Sequence, residues 1–344
     1  MKRPIRYMVI SMTVFLACLP KLARAQVVSG SGWTAETSVA PAAANFGGNV
    51  YLGWKGASSN QIWYTEGPSP WSHQATVSGA LTTQAPALAA GSALYLAWRG
   101  QSTAATDKIY YTTNSGSGFG SHATVCNTGG CAETIASPAL AANGATVYVA
   151  WTTSSDEIMI GTYTGAWTFT ATPPSFLTST APALALYDGQ LFLAWLNEGT
   201  NQLMYATSPS SSISWPATGT QVGTTTWSAQ TGAAPAFGIY VSEIVKTPNP
   251  AGLYIGWTTE SGTITIDYSH WNGSGWNAPA AMPPPSPDLV TNTTPALVSY
   301  AIAPECEVSN YYFDVAYKNG GDDIIWTQLQ DNSAVPCATC CPKF

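Results

Sequence analysis

The 344-residue sequence predicts an all-β chain: a six-bladed β-propeller of four-stranded antiparallel blades, its ring closed by an N-terminal strand. Three observations carry that expectation. Short apolar runs of strand length, bounded by Gly, Ser and Thr, recur with a period of roughly 40–50 residues, the mark of a radially repeated sheet. Each period opens on a Pro-Ala pair followed by a run that ends in an aromatic residue. No long window keeps the i, i+3, i+4, i+7 apolar spacing of a helix, and Pro and Gly recur too often for one.

The Pro-Ala pairs begin at Pro41, Pro86, Pro138, Pro182, Pro235 and Pro295, and the aromatics that follow are Trp54, Trp98, Trp151, Trp195, Trp257 and Tyr317. Units five and six are longer between these landmarks, and the excess is assigned to a loop, where insertions are tolerated. A third strand is expected at Gln61–Tyr64, Lys108–Tyr111, Glu157–Ile160, Gln202–Tyr205, Thr263–Ile266 and Asp323–Trp326. A fourth is expected to open on Trp71, Phe119, Trp167, Trp215 and Trp276. Unit six lacks this strand, but Gly30-Ser-Gly-Trp33-Thr-Ala-Glu36 reads like Gly273-Ser-Gly-Trp276-Asn-Ala-Pro279. The N-terminal segment is therefore expected to supply the outer strand of the last blade, which removes the seam between chain ends.

The ends of the chain suggest export. Residues 1–25 read as a secretory signal peptide: a basic start (Lys2, Arg3, Arg6), an apolar core over 7–19, and Ala23-Arg24-Ala25 as the cleavage site. This delimits a leader at 1–25, a propeller at 26–330 and a Cys-rich tail at 331–344, with a secreted or periplasmic location expected. No other apolar run is long enough to span a bilayer as a helix. Without the leader the chain keeps 6 basic and 18 acidic residues, a net charge of −12. That argues against nucleic acid, whose phosphates demand Lys and Arg. The remaining cysteines are Cys126, Cys131, Cys306, Cys337, Cys340 and Cys341, an even number that favours disulfides in an exported protein. Cys126-Asn-Thr-Gly-Gly-Cys131 reads as a clipped turn. Cys306 and the tail cysteines are expected to pin the C-terminus, with metal binding by Cys337-x-x-Cys340-Cys341 the alternative. No cofactor is expected.

Candidate chemistry is sparse. His73, His122 and His270 lie far apart and outside any ligand-spaced motif, and no G-x-S-x-G elbow is present. Asp188, Glu198, Asp267, Asp314, Asp322 and Asp323 could supply the carboxylate pair of a glycosidase. The residue after the strand-two aromatic varies (Lys55, Arg99, Thr152, Leu196, Thr258, Lys318), so it is expected to emerge at a rim, with Arg99, Lys55 and Lys318 as hydrogen-bonding candidates. Tyr64, Tyr111, Tyr205 and Trp326 are the candidates for stacking on a sugar face. Strand-two tryptophans are expected to be core.

Two turns, Thr112-Thr-Asn114-Ser-Gly116-Ser-Gly-Phe119 and Ser269-His-Trp271-Asn-Gly273-Ser-Gly-Trp276, resemble the Asp-box of sialidase-like propellers, with Trp271 where that motif has Asp. A sialidase clamps its substrate carboxylate with three Arg, and Arg99 is the single arginine after the leader. The strand pair LYLAWRG and KIYY, the G-x-W strand and the ring closure resemble six-bladed fucose-binding lectins over about residues 27–330. That resemblance implies a secreted, non-catalytic glycan binder, although Tyr51, Tyr95, Tyr148, Phe192 and Tyr254 stand where those lectins carry Arg, and Tyr64, Tyr111 and Tyr205 where they carry Glu. A propeller glycosidase and an extracellular protein-interaction or adhesion platform remain the alternatives.

Overall fold

Alternating apolar residues and Gly-rich turns produce six antiparallel sheets around one axis. The structure, a computed structural model, describes residues 25–328 apart from 69, 103, 225–228, 242–250, 260–264, 283–292 and 303–309. Blade 1 pairs Ala42–Phe46, Asn49–Lys55, Gln61–Gly67 and Ala75–Leu81 in sequence order. Blade 2 follows with Ala87–Ala90, Leu94–Arg99, Asp107–Asn114 and Ala123–Thr124, and blade 3 with Ala139–Asn143, Thr146–Thr152, Ile158–Tyr163 and Trp167–Ala171. Blade 4 is Ala183–Tyr187, Gln190–Leu196, Leu203–Pro209 and Thr220–Gln221; blade 5 is Ala236–Tyr240, Gly252–Thr258, Ile266–His270 and Ala280–Ala281. Blade 6 joins Ala296–Ile302, Asn310–Lys318 and Ile324–Gln328 to the N-terminal Gln26–Val27.

The predicted ring and its N-terminal closure are therefore present, with three corrections of register. The closing strand is Gln26–Val27, paired to Trp326 and Ile325, while Ser29–Gly30 and Trp33–Thr34 form a small hairpin beyond it and Glu36 bridges to Asp323. In blade 5 the third strand starts at Ile266, opposite Thr258, two residues after the Ile264 that the repeat alignment had equated with Ile62. The aromatic expected to open each fourth strand does so in blade 3 (Trp167); in blades 1, 2, 4 and 5 it sits in the preceding turn. The predicted loops of units five and six, the leader through residue 24, and Cys306, Cys337, Cys340 and Cys341 fall outside the described residues. Cys126 and Cys131 form the expected disulfide across a short hairpin.

The inner strands supply Ala and Leu to a narrow axial cavity of about 240 Å³. At its wall Asn45 of blade 1 donates its side-chain N–H to the Ser299 carbonyl of blade 6, 2.9 Å away, linking the first and last blades. Second strands are buried on both faces: Trp54, Trp98 and Trp195 are each 1% exposed, as a central strand between two neighbouring sheets requires.

Two repeated contacts set the angle between blades. Four residues before each Pro of blades 1 to 5 stands a Thr that is fully buried: Thr37, Thr82, Thr134, Thr178 and Thr231. Each hydroxyl accepts the N–H of the residue two further on (Val39, Gln84, Ala136, Thr180 and Ala233), a local turn that steers the chain from an outer strand to the next inner one. The second contact is aromatic. Tyr64 meets Phe119, Tyr111 meets Trp167, Tyr205 meets Trp276, and Trp326 meets Trp71, always from a third strand to the next blade, with ring centroids 4.9, 5.5, 5.7 and 5.2 Å apart. All four are edge-to-face, the favoured geometry for large rings in a wedge-shaped gap. The Trp326 pair spans the seam between last and first blades. Trp326→Ala is expected to cost about 3–5 kcal/mol of stability in a denaturant titration, as for a buried large-to-small change; a loss below ~1 kcal/mol would show that the seam is held elsewhere.

Candidate functional site

The structure relocates the residues singled out from sequence. The position after the strand-two aromatic does not emerge at a rim. Arg99 is 5% exposed, and its guanidinium donates to the Thr134 carbonyl (3.0 Å), the Thr83 hydroxyl (3.0 Å) and the Ala104 and Ala105 carbonyls (2.8 and 3.3 Å). Lys55 is 7% exposed and donates to the Ser38 hydroxyl and the Gly56 carbonyl. Lys318 pairs with Asp322 at 2.8 Å and donates to the Asn319 carbonyl. Low dielectric favours such full pairing of a buried cation, so these three tie turns together. Trp326 is buried, and Tyr64, Tyr111 and Tyr205 are held in the inter-blade pairs described above.

The Asp-box-like turns act as backbone clamps. Asn114 stands in the acid position of the first, and its Oδ1 accepts the N–H groups of Gly116 (2.8 Å) and Gly118 (3.0 Å). In the second this task shifts by one residue to Asn272, which accepts from the N–H groups of Ser274 and Gly275, each at 3.0 Å. Trp271 is thereby released from the turn. Its ring meets Phe192, Trp276 and Tyr205 at 5.3, 5.3 and 5.6 Å and lines a groove of about 350 Å³ between blades 4 and 5.

Polar groups surround that ring. Asp188 and Gly189 form the two-residue link between the first two strands of blade 4, both at positive φ (49° and 72°), the backbone of a tight hairpin turn. The turn sets Asp188 and Gln190 on the groove lip, with Tyr187 beside them, Asn272 opposite and half-buried His270 within. Burial lowers the His270 pKa, so its imidazole is neutral at physiological pH. The groove thus offers partly exposed aromatic surface and acceptors of several kinds, with no Lys or Arg in its lining among the described residues. Sequence reasoning passed over it; the visible signal was Trp271 in place of the Asp-box acid.

The carboxylates considered for glycosidase chemistry fall in separate places. Asp188 and Glu198 flank opposite ends of one blade 4 strand, and Asp267 lies within blade 5. Asp314 is central in blade 6, on a strand that ends before Asp322 and Asp323. Among the described residues no three His, Cys, Asp or Glu converge as a metal site. Asp314 is 2% exposed; Tyr300 donates its hydroxyl to Oδ2 at 2.9 Å, and Oδ1 has no partner among the described residues. Burial pushes its pKa up to about 7, and hydrogen bonding from Tyr300 and Trp326 offsets this only in part.

No known family's sequence pattern and no curated protein match this chain. Solved structures do. It is similar to a fucose-specific lectin from Aleuria aurantia (TM-score 0.55, 13% identity, covering 86% of this chain and 93% of that one) and to AofleA from Arthrobotrys oligospora (TM-score 0.58, 10% identity, 89% and 86%). It is also similar to a Trypanosoma rangeli sialidase (TM-score 0.54, 9% identity), covering 92% of this chain but 59% of that one. These likenesses bear out the six-bladed propeller fold. Among the described residues no helix is long and apolar enough to cross a membrane.

A carboxyl with its pKa raised from 3.8 to about 7 in the folded state binds its proton more tightly there than in the unfolded chain. Its contribution is complete below the unfolded value and is lost as pH rises through the folded one. The melting temperature is therefore expected to fall across that window, and Asp314→Asn to flatten the slope and raise the melting temperature at neutral pH. Identical pH profiles for both proteins would show that Asp314 does not govern this dependence.

Proposed function

We propose that this protein is an exported, non-catalytic carbohydrate-binding propeller, and that the groove between blades 4 and 5 is a binding site. The observation that carries the reading is Trp271: an aromatic ring freed from a degenerate Asp-box turn, partly exposed, and flanked by Asp188, Gln190, Asn272 and a neutral His270. Sugars present an apolar C–H face and a fringe of hydroxyls, and such a groove complements both. Similarity to a lectin determined in complex with Fucα1-6GlcNAc supports the same class of ligand. The Cys126–Cys131 disulfide fits an oxidising, extracytoplasmic location, in line with the basic-apolar leader.

The sialidase-like neighbours share the fold, but the chemistry of a carboxylate clamp lacks support here. Arg99, the single arginine after the leader, is committed to four oxygen acceptors inside the fold. Nor does any observation favour a paired-carboxylate glycosidase or a protein-interaction platform over glycan binding.

Screening the oxidised chain from residue 26 onward on a glycan array should return one sugar family. Calorimetry should then show Trp271→Ala weakening that sugar on the order of tenfold or more, the usual effect of removing a central aromatic anchor. A blank array, or unchanged affinity in Trp271→Ala, would refute the assignment.

A further inference from the structure

A second groove lies on the opposite face of the disc, between blades 1 and 2, and its origin can be read from the repeat. In blades 6, 2 and 4 the outer strand is interrupted in the same way. A Val (Val28, Val125, Val222) donates its N–H to the carbonyl of a third-strand residue (Ile324, Ile109, Leu203), and an Ala seven positions later (Ala35, Ala132, Ala229) accepts that residue's N–H in return. Six residues separate the two in sequence, and in blades 6 and 2 they fold as a short hairpin. In blade 6 the bulge carries Trp33, which stacks over Trp54 of blade 1 with centroids 6.5 Å apart and planes 15° from parallel.

Blade 1 shortens this device to two residues, Ser78 and Gly79, between Val77 and Ala80. Gln61 seals the shortened bulge, its side-chain N–H groups reaching the Val77 and Ala80 carbonyls at 2.8 and 3.1 Å. No ring is delivered to the neighbouring blade. In its place is a cavity of about 610 Å³ walled on one side by Gly79 and Leu81. The other wall is aromatic: Tyr110 stacks on Trp98 (5.9 Å, 22°), and exposed His122 sets its edge against both, at 5.5 and 5.7 Å.

The polar part of the cavity is dominated by an acceptor. Asp107 takes the Ser102 N–H on Oδ2 (2.6 Å) and the Lys108 N–H on Oδ1 (2.7 Å), leaving further lone pairs on both oxygens. Burial alone would raise its pKa, but these hydrogen bonds and the Arg99 charge outweigh it, and the group is held ionised. The Arg99 donors point into the fold, and among the described residues no Lys or Arg lines the cavity. Gln101 adds a carbonyl already accepting from Asn60 at 3.3 Å.

An aromatic wall beside an ionised carboxylate, on a chain of net charge −12 after the leader, suits a cation with an apolar body. The cavity is larger than a bare ammonium needs and has room for a six-membered ring. We propose that the groove between blades 1 and 2 binds an amine-bearing sugar, its ammonium on Asp107 and its ring against Tyr110 and His122. This site is independent of the groove at Trp271.

Calorimetric titration of the oxidised chain from residue 26 onward with glucosamine, N-acetylglucosamine and glucose tests it. Glucosamine should bind about tenfold or more tightly than the two neutral sugars, as expected for a desolvated cation over rings beside a carboxylate. Asp107→Asn should remove that preference, and Trp271→Ala should leave it unchanged. Because Asp107 also organises its own turn, exposed His122→Ala is the second variant and should weaken glucosamine several-fold with no change in melting temperature. Equal binding of glucose and glucosamine would assign the groove to neutral sugars and overturn the proposal, as would no binding of any of the three, or a glucosamine preference that survives Asp107→Asn.

Discussion

The edge-to-face ring pair between neighbouring blades is the constraint on which the rest of this propeller depends. A radial array of twisted sheets leaves wedge-shaped gaps that widen outward, and small side chains cannot fill them. Here Ala and Leu fill the narrow end at the axis, and Trp, Tyr and Phe fill the broad end. The indole N–H groups of Trp71, Trp167 and Trp276 have no oxygen or nitrogen acceptor among the described residues. Edge-to-face contact holds these rings without a conventional hydrogen bond. Charge contributes little to cohesion, which is why a chain with so few Lys and Arg can close a large ring.

Much of this was legible in the sequence, because a repeat reports the same packing problem six times. The Pro-Ala pairs, the strand-two aromatics and the relocated N-terminal strand were all visible. The buried Thr four residues before each Pro of blades 1 to 5 was equally visible in principle, but its meaning depends on a hydroxyl-to-amide contact that composition does not announce. Register failed where a two-residue slip keeps the same alternation: Ile264 and Ile266 are two apart in sequence, so a period of two alone could not choose between them.

Site residues were less legible for a different reason. Variation among Lys55, Arg99 and Thr152 suggested solvent, yet these positions are buried and vary because each blade solves its local turn with a different donor. Likewise the strand-three tyrosines repeat because they lock blades together. In a repeat protein, recurrence marks packing, and a polar residue at a variable position can still be structural when its partners vary with it.

The positions that bear on binding are those where the repeat breaks. Trp271 replaces the acid of a turn motif, and the turn survives because Asn272 assumes the clamp one residue later. The Ser78-Gly79 bulge lacks the ring that Trp33 supplies one blade earlier, and a cavity opens where an aromatic would otherwise sit. In one case a ring takes the place of a turn acid and stays partly exposed; in the other no ring reaches across to cover the neighbouring blade. Both leave aromatic surface that the protein's own packing covers only in part. A ring held together by self-complementary aromatic wedges is thus also a ring of latent aromatic sites, each opened or closed by a change of one or a few residues at its rim.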